Sequence, residues 1–457
     1  MKVRLLKFTC WIGLFLLASG AGAQTPASLK LSLADLTQAA LKNSPKLDSA
    51  RLSYESAKSE AGSLGASEFP RLGLSGNYFY QTYVPELSIL PHSPTEPFGE
   101  ANNWSAWATL NWNLWDFRSQ HNMANSATAS SQSQEQAYAA AGRQVKLAVR
   151  LAYFQAQVAL EQVRLLGDSL KVAQAQYADI QKQARYGTAS RMDQLSSHQE
   201  VLNYERQFRQ AQANLAQSLR DLFDLVGEKE PVDFSMPLDA RMQGALPDGV
   251  DAPSAWLSMD SEKDSLDSLR AEAAVEPNDD LPQLKTYAYL ADSARFAADA
   301  VQSELFPKIT VSAQAGYENP DGPILTTVQQ NIVSVSASMP IFDWGQILQD
   351  SDSKRKQSEA YLRNLDQARA DLWRDWNKSK DALSSLEYQR TLNDTAVSET
   401  QELSQLTYNS YRAGTVRFLE VQTANFQTLN AKILAVDNDL QMLMQLSVLS
   451  SLAGSKE

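Results

Sequence analysis

Apolar residues recur at every second position in four segments of the chain. Two segments lie in the first half, at about residues 71–83 and 103–115, and two lie in the second half, at about 308–318 and 331–341. A period of two is typical of strands with one apolar and one polar face. The sequence therefore predicts four strands arranged as two hairpins.

Each predicted strand hairpin is followed by a long proline-free stretch rich in alanine, glutamine, leucine and charged residues. These stretches span residues 117–226 and 344–452, and each contains one Gly-Thr pair, at Gly187 and Gly414. Such a composition favours helix, and the glycine favours a turn. We therefore predict two hairpins of long antiparallel helices, in which a helix of about 70 residues would be roughly 100 Å long.

The two halves of the chain are copies of one unit. The stretch "WDF" at residues 115–117 corresponds to "FDW" at 342–344, and the two Gly-Thr pairs show the same spacing of 227 residues. Pro70 and Pro307, which precede the first strand of each half, are 237 residues apart, so the first half contains ten additional residues. We place these in the Pro-rich stretch 84–100.

This duplication divides the chain into three parts after the N-terminal segment. Residues 24–227 form the first repeat and residues 281–457 form the second. Residues 228–280 are rich in proline and acidic residues, and we predict an irregular connector there with one short helix near 264–274.

Residues 1–23 have the pattern of a secretory signal, with a basic start, the apolar stretch "WIGLFLLA" and the small-residue exit "AGA". We expect cleavage before Gln24. An N-terminal membrane anchor is the alternative, but the apolar run is shorter than the roughly 20 residues that a spanning helix needs. Cys10, the one cysteine, precedes the apolar run instead of following it, so we expect no lipidation and no disulfide in the mature chain.

The charge of the chain argues against nucleic acid as a partner. The formal net charge is −12, and removal of the predicted signal with its three basic residues would leave 38 basic and 53 acidic residues, a net charge of −15. The three histidines are scattered without ligand spacing, and neither a phosphate-binding loop nor a nucleophile elbow occurs. We therefore predict no enzyme, no metal site and no cofactor.

The four strands allow two interpretations. A soluble sandwich would show the same alternation, but segments of about ten residues also fit tilted strands that cross a bilayer. Four strands cannot close a membrane barrel, since barrels start at about eight strands and open edges are not tolerated in lipid. A membrane location therefore requires several copies that pool their strands.

The sequence resembles the TolC-type outer membrane efflux proteins over nearly all of the mature chain. The resemblance is carried by "LSLADLTQAALKNSPKLDSA", by the strand starts "FPRLGLSGNY" and "FPKITVSAQAGY", by "MPIFDWGQ", and by "YGTASRMDQLSSHQEVLNYE" with its echo "YRAGTVRFLEVQTANFQTLNAK". The first half has "NLWDFRS" where the second has "PIFDWGQ", which leaves the path of the chain into the first long helix open.

The resemblance implies a mainly α fold with a membrane β-barrel contribution. Two tandem repeats would each supply a β-hairpin and a long antiparallel helix hairpin, and a trimer would form a 12-stranded barrel on an α-helical periplasmic tunnel. The implied function is the outer membrane channel-tunnel of a tripartite efflux or type I secretion system, a passive exit duct from the periplasm. Its implied partners are two further copies, outer membrane lipid, a periplasmic adaptor protein and an inner membrane transporter of RND, ABC or MFS type.

The Gly-Thr turns have a structural and a functional interpretation. A helix hairpin needs a turn, which glycine allows by adopting positive φ, and Thr188 and Thr415 could cap the helices that follow. The resemblance implies in addition that the turns dock onto the adaptor. The implied contact residues are Arg185, Gly187, Thr188, Ser190, Arg412, Gly414 and Thr415.

Three residues near the turns match positions of a periplasmic gate in the family, and a fourth, Arg417, lies one residue from such a position. The resemblance implies that Asp193 and Glu420, each six residues after a turn glycine, line the constricted end, with Tyr411 in the network that closes it. Arg417 lies one residue later than the family's usual arginine. The alternative for both acidic residues is a solvated helix face.

Two other classes of protein remain to be distinguished. A periplasmic coiled-coil adaptor or scaffold would need the long helices but not the four amphipathic strands. A self-contained porin would need eight or more strands per chain and no long helices.

Overall fold

The computed structural model describes residues 29–87, 96–97, 99–229, 257–260, 262–320 and 325–453. The predicted signal at residues 1–23, part of the Pro-rich stretch and much of the connector lie outside the described residues.

The described elements comprise four long helices, several shorter helices and strands of very different length. In chain order they are β1 (Leu29–Leu31), α1 (Leu33–Asn43), α2 (Pro45–Ala66), β2 (Arg71–Tyr80), β3 (Glu86–Leu87), β4 (Glu96–Pro97), β5 (Asn102–Trp115), α3 (Ser119–Arg185), α4 (Arg191–Val226), β6 (Leu257–Met259), α5 (Glu262–Ala273), α6 (Pro282–Gln302), β7 (Lys308–Asn319), β8 (Val328–Ser338), α7 (Gln346–Arg412) and α8 (Phe418–Leu452).

The four long strands form one antiparallel sheet in the order β2-β5-β7-β8. Strand β2 ends at Tyr80 instead of 83, and β8 begins at Val328, three residues before its predicted start. The central pair, β5 and β7, joins the two repeats, with Ala106 opposite Tyr317. Within the described residues, β2 and β8 are each paired on one side only, so both are edge strands.

Both repeats enter their long helix through the same backbone path. Asp116 accepts a hydrogen bond from the Gln120 amide at 3.0 Å, and Asp343 accepts one from the Ile347 amide at 2.9 Å, so each motif aspartate binds an amide in the first turn of the following helix. Arg118 adopts φ 67 where the second repeat has Gly345 at φ 83. The chain therefore enters α3 by the same backbone path as α7. Before α3, this path places an arginine at a left-handed position that favours glycine.

The two longest helices differ in how much of their surface is covered. Helices α3 and α7 each have 67 residues, but α3 contributes 21 buried residues and α7 contributes five. The main apolar core lies around α3, where α1, α4, α5 and α8 also contribute side chains. Helix α7 instead leaves leucines exposed along its surface. Among the described helices, none combines the length and apolar character that would let it cross a membrane.

The described part of the connector contains more order than we predicted. Its short helix, α5, lies close to the predicted position, but β6 was not predicted and pairs in parallel with β1. The buried Tyr153 hydroxyl links the two strands, since it donates to the Leu31 carbonyl at 3.0 Å and accepts from the Asp260 amide at 2.8 Å. These contacts between distant segments could not be seen in a local sequence pattern.

Candidate functional site at the helix-hairpin tips

The turn between α3 and α4 is closed by a left-handed glycine. Gly187 has φ 75, and the next residue, Thr188, donates from both its amide and its hydroxyl to the Gln183 carbonyl, at 2.9 and 3.0 Å. The turn thus satisfies a carbonyl that the end of α3 would otherwise leave without a partner.

The turn between α7 and α8 repeats this geometry. Gly414 has φ 78, and Thr415 donates from its amide and hydroxyl to the Ser410 carbonyl, at 3.0 and 2.9 Å. The prediction that Thr188 and Thr415 cap the following helices is therefore wrong. The left-handed glycine turns each threonine back towards the helix that ends, whereas α4 and α8 begin three residues later.

The two helices that leave the turns begin differently. Ser190 caps α4 in a reciprocal arrangement, in which its hydroxyl accepts from the Asp193 amide at 3.0 Å and the Asp193 carboxylate accepts from the Ser190 amide at 3.2 Å. Arg417 holds the equivalent position before α8 and makes no side-chain cap, and Glu420 is exposed in the first turn. Asp193 therefore has a structural role in addition to any role in a gate.

Tyr411 lies close to Asp193 without bonding to it. Burial raises the pKa of the Tyr411 phenol, and the nearby Asp193 carboxylate raises it further. In the part of the chain that the structure describes, no hydrogen bond joins these two side chains, and the Tyr411 ring packs edge-on against Phe418 at 5.4 Å between centroids. A closing hydrogen bond between Tyr411 and Asp193 stays a prediction.

A small apolar cluster joins the two hairpins near their tips. Ile180 of α3 packs with Phe418 and Val421 of α8, all three fully buried. Beside it, the Tyr408 hydroxyl donates to the Asp179 carboxylate at 3.2 Å. Burial is the main cause that raises the pKa of Tyr408, and the nearby Asp179 carboxylate raises it further. This cluster is not among the sites predicted from the sequence, although the spacing of Tyr408 and Tyr411 places both tyrosines on one face of a helix.

The predicted adaptor-contact residues form the free ends of the hairpins. All seven are exposed, and so is Tyr186, an aromatic residue at the first turn that the sequence analysis missed. The apolar cluster brings the two tips together, because it connects α3 just before the first turn with α8 just after the second. Among the described residues, no group of three or more His, Cys, Asp or Glu side chains is placed to hold a metal ion.

A buried polar network joins the same two hairpins further from the tips. Glu200 is 7% exposed, and its carboxylate accepts from the Asn425 amide group at 3.1 Å. The same amide group donates to Gln176 at 3.0 Å, and the Asn425 oxygen accepts from the Ser404 hydroxyl at 2.8 Å. The network thus includes one residue from each of the four long helices.

The network has one charged group in a site shielded from water. Burial raises the pKa of Glu200, while hydrogen bonds from Asn425 and Gln422 partly oppose the shift. A cavity of about 310 Å³ adjoins the network, with Tyr204 and Gln176 in its wall and Lys432 among its lining residues. Ionisation of Glu200 would therefore place a charge in a largely buried site.

We expect the stability of the helix hairpins to change with the ionisation of Glu200. Because the folded-state pKa is raised, the contribution of the protonated acid is complete below the ordinary glutamate pKa of about 4.3 and is lost as the pH rises through the folded-state value. Glu200→Gln keeps an acceptor for Asn425 and removes the charge. The gain in melting temperature between pH 8 and pH 5 should therefore be smaller in this variant than in the wild-type protein.

The matched control is Glu205→Gln, which changes an exposed glutamate on the same helix. Its melting temperatures should follow those of the wild-type protein at both pH values. If Glu200→Gln also follows the wild-type protein, the buried carboxylate does not control the stability of this region.

The chain matches one protein family in both repeats. The family model described as "Outer membrane efflux protein" matches residues 36–228 and 279–455. Two similar proteins from Pseudomonas putida are the "Probable efflux pump outer membrane protein TtgC" and the "Antibiotic efflux pump outer membrane protein ArpC". Each is 22% identical over 434 residues, which cover 93% of this chain and 83% of the relative.

Solved structures show the same fold. The structure of CusC superimposes with a TM-score of 0.72 at 18% identity, covering 96% of both chains. The structure of the outer membrane protein VceC from Vibrio cholerae superimposes with a TM-score of 0.71 at 17% identity, covering 93% of this chain and 97% of VceC. The two repeats of strands and long helices are therefore a known arrangement.

Proposed function

The chain belongs to the outer membrane efflux protein family, and on this premise we propose that it works as a homotrimer that docks through its helix-hairpin tips. Family membership confirms the resemblance predicted from the sequence, the outer membrane location and the role of an efflux channel without catalytic activity. An efflux channel in the outer membrane forms one component of a tripartite pump.

The order of the strands in the sheet is the observation that supports a homotrimer. Within one chain, the second strand of the first repeat, β5, pairs with the first strand of the second repeat, β7. The equivalent pair between copies is β8 with β2 of the next copy, and both are edge strands. Head-to-tail pairing gives either a ring or an open filament, and lipid does not tolerate open strand edges, so a ring is expected in the membrane. Three copies would supply twelve strands, above the minimum of about eight for a membrane barrel.

Native mass spectrometry in detergent tests this assembly. We expect a particle of three chains. A stable monomer or a tetramer would contradict the proposal.

The channel would give a passive exit from the periplasm to the outside. An inner membrane transporter of RND, ABC or MFS type would supply the energy, and a periplasmic adaptor would connect it to this chain. We favour efflux over type I secretion because the names of the similar Pseudomonas putida proteins refer to efflux pumps, including pumps for antibiotics and toluene. A periplasmic adaptor or scaffold, the alternative considered from the sequence, would not account for the four-stranded sheet.

The adaptor would bind at the seven exposed tip residues. They lie at the ends of α3 and α7 that are farthest from the sheet, where a partner anchored in the inner membrane would arrive. A photoreactive amino acid at Thr188 should cross-link a protein that mass spectrometry identifies as a periplasmic adaptor. The same amino acid at the exposed Lys356, on α7 near the sheet, should not. Equal cross-linking at both positions would contradict docking at the tips.

The gate would consist of Asp193, Tyr411, Arg417 and Glu420. A charge-assisted hydrogen bond between Tyr411 and Asp193, repeated in each copy, would stabilise the closed end by about 1.5–3 kcal/mol per bond. Since about 1.4 kcal/mol corresponds to a factor of ten in an equilibrium, Asp193→Ala combined with Tyr411→Phe should raise the open population roughly tenfold or more. Planar-bilayer recording should show the increase as higher conductance.

Glu420 provides a second measurement on the same bilayers. Three copies of this carboxylate around a narrow opening would attract cations, so Glu420→Gln should weaken the cation preference without opening the gate. If the double variant conducts like the wild-type protein, the latch at Asp193 and Tyr411 is wrong, while the channel role is unaffected.

A further inference from the structure

The internal repeat provides a template for a contact that a single chain cannot show. Within one chain, the first repeat faces the second through Gln176 of α3, which accepts from Asn425 of α8 at 3.0 Å. Asp179 of α3 likewise accepts from Tyr408 of α7 at 3.2 Å. Each of these positions has an equivalent 227 residues away in the other repeat.

The α3 positions that face the second repeat correspond to exposed leucines of α7. Leu392, Leu403 and Leu406 are the equivalents of Leu165, Gln176 and Asp179. In the single chain these leucines are 53%, 47% and 57% exposed, whereas Gln176 is buried. An apolar stripe therefore lies exposed along α7, whereas its counterpart on α3 is buried at Gln176 and partly buried at Leu165 and Asp179.

The surface that would meet these leucines lies on the first helix hairpin. Asn425 and Ser404, which are hydrogen bonded, correspond to His198 and Tyr177, whose rings stack at 5.0 Å between centroids. His198 is exposed in the single chain. Leu202 is 44% exposed, whereas its equivalent Leu429 is buried. The first hairpin thus presents an aromatic pair and a leucine where the second hairpin is packed against its neighbour.

We propose that Leu403 of one copy packs against the Tyr177–His198 ring pair of the next copy, with Leu392 against Leu202 of the next copy. This inference rests on the homo-oligomer of the proposed function. It identifies the surface through which neighbouring copies would contact each other along this part of the long helices. The occupant is a second copy because the repeat places the α7 stripe opposite the first hairpin, as α3 lies opposite the second hairpin within a chain.

The contact between the two hairpins of one chain would then differ in polarity from the contact between hairpins of two copies. Within a chain, the groove holds directional hydrogen bonds among Gln176, Asn425 and Glu200. Between copies, the equivalent positions carry Leu403, His198 and Gln427, so an apolar and aromatic contact replaces the buried carboxylate network. Burial of the leucine stripe in this groove would remove apolar surface from water.

Cysteine cross-linking tests the contact, since Cys10 within the predicted signal is the one cysteine of the chain. In membranes that contain the full protein, Leu403→Cys combined with His198→Cys should react with a short bis-maleimide to give covalent dimers and trimers on denaturing gels. Gln176→Cys combined with Asn425→Cys is the control for the template, and it should cross-link inside one chain without a ladder. Unsubstituted protein should give no covalent oligomer.

A second control tests where along the helix axis the contact lies. Arg206 lies eight residues beyond His198 on α4, roughly 12 Å along the helix, so Leu403→Cys with Arg206→Cys should not cross-link. A trimer in native mass spectrometry without the Leu403–His198 product, or with the Leu403–Arg206 product in its place, would overturn the proposed surface and leave the homotrimer intact. Failure to find any trimer would overturn both. Cross-linking of Leu403 to a different protein instead of a second copy would also overturn the surface.

Discussion

Replacing Gly316 with alanine is expected to remove most of the assembled protein from the outer membrane. Gly316 lies in β7, at the junction between the repeats, and a Cβ atom there would overlap the Ala106 carbonyl oxygen of β5. The same atom would lie 2.7 Å from the Trp107 ring. The backbone oxygen cannot move away without breaking the pairing of the two strands, so we expect folding stability to fall by about 3 kcal/mol, the upper end of the usual cost of overpacking.

Gly76→Ala is the matched control for this substitution. Gly76 lies in β2 of the same sheet, and the nearest atom to its Cβ position is the Ser105 carbonyl oxygen at 3.8 Å, an ordinary contact. Immunoblots of outer membrane fractions should show near wild-type amounts of Gly76→Ala and several-fold less of Gly316→Ala. Equal amounts would mean that β5 and β7 do not pair as closely as the structure shows.

The strands and long helices could be predicted because their sequence patterns are local. Alternation of apolar and polar residues is set by the pleat of a strand, and a long proline-free stretch is compatible with a single helix. The strand ends were less accurate, as at Tyr80 and Val328, because pairing with the neighbouring strand decides where a ladder stops. The pairing of β1 with β6 was missed because each strand has three residues and the two lie far apart in the chain.

The tips could be predicted as turns but not in their detail. Positive φ at Gly187 and Gly414 follows from the demand of a tight turn between helices. A threonine directly after the glycine can bond to the helix before it or to the helix after it, and only the backbone angles decide between them. Arg118 shows the same limit, since its left-handed backbone is dictated by the path into α3 and not by its own preference.

The buried network could not be predicted from the sequence. Glu200 is one of many charged residues on a long helix, and its burial arises from packing against Asn425, 225 residues away in the chain. The duplication does not help at this position, because Gln427 occupies the equivalent site in the second repeat. The two repeats share a backbone, while the residues between hairpins have diverged.

Phe418→Ala is expected to separate the two tips of one chain. Phe418 is fully buried at the start of α8, where it packs with Ile180 of α3 and supports the edge of the Tyr411 ring. Truncation of a buried phenylalanine costs about 3–5 kcal/mol, because the lost contacts leave a cavity. Helix α8 has no side-chain cap at Arg417 to compensate, so its first turns should open first.

Hydrogen exchange measured by mass spectrometry on the assembled protein checks this expectation. Peptides that contain the first turns of α8 and the last turns of α3 should exchange at least tenfold faster in Phe418→Ala, since a loss of about 3 kcal/mol in local stability exceeds the 1.4 kcal/mol that corresponds to a factor of ten. Phe426→Ala is the matched control, because it removes the same side chain from a position 60% exposed on the same helix. Its exchange near the tips should stay close to that of the wild-type protein. If both variants exchange alike, the cluster of Ile180, Phe418 and Val421 does not hold the tips together, and the stability of this end must come from contacts between copies.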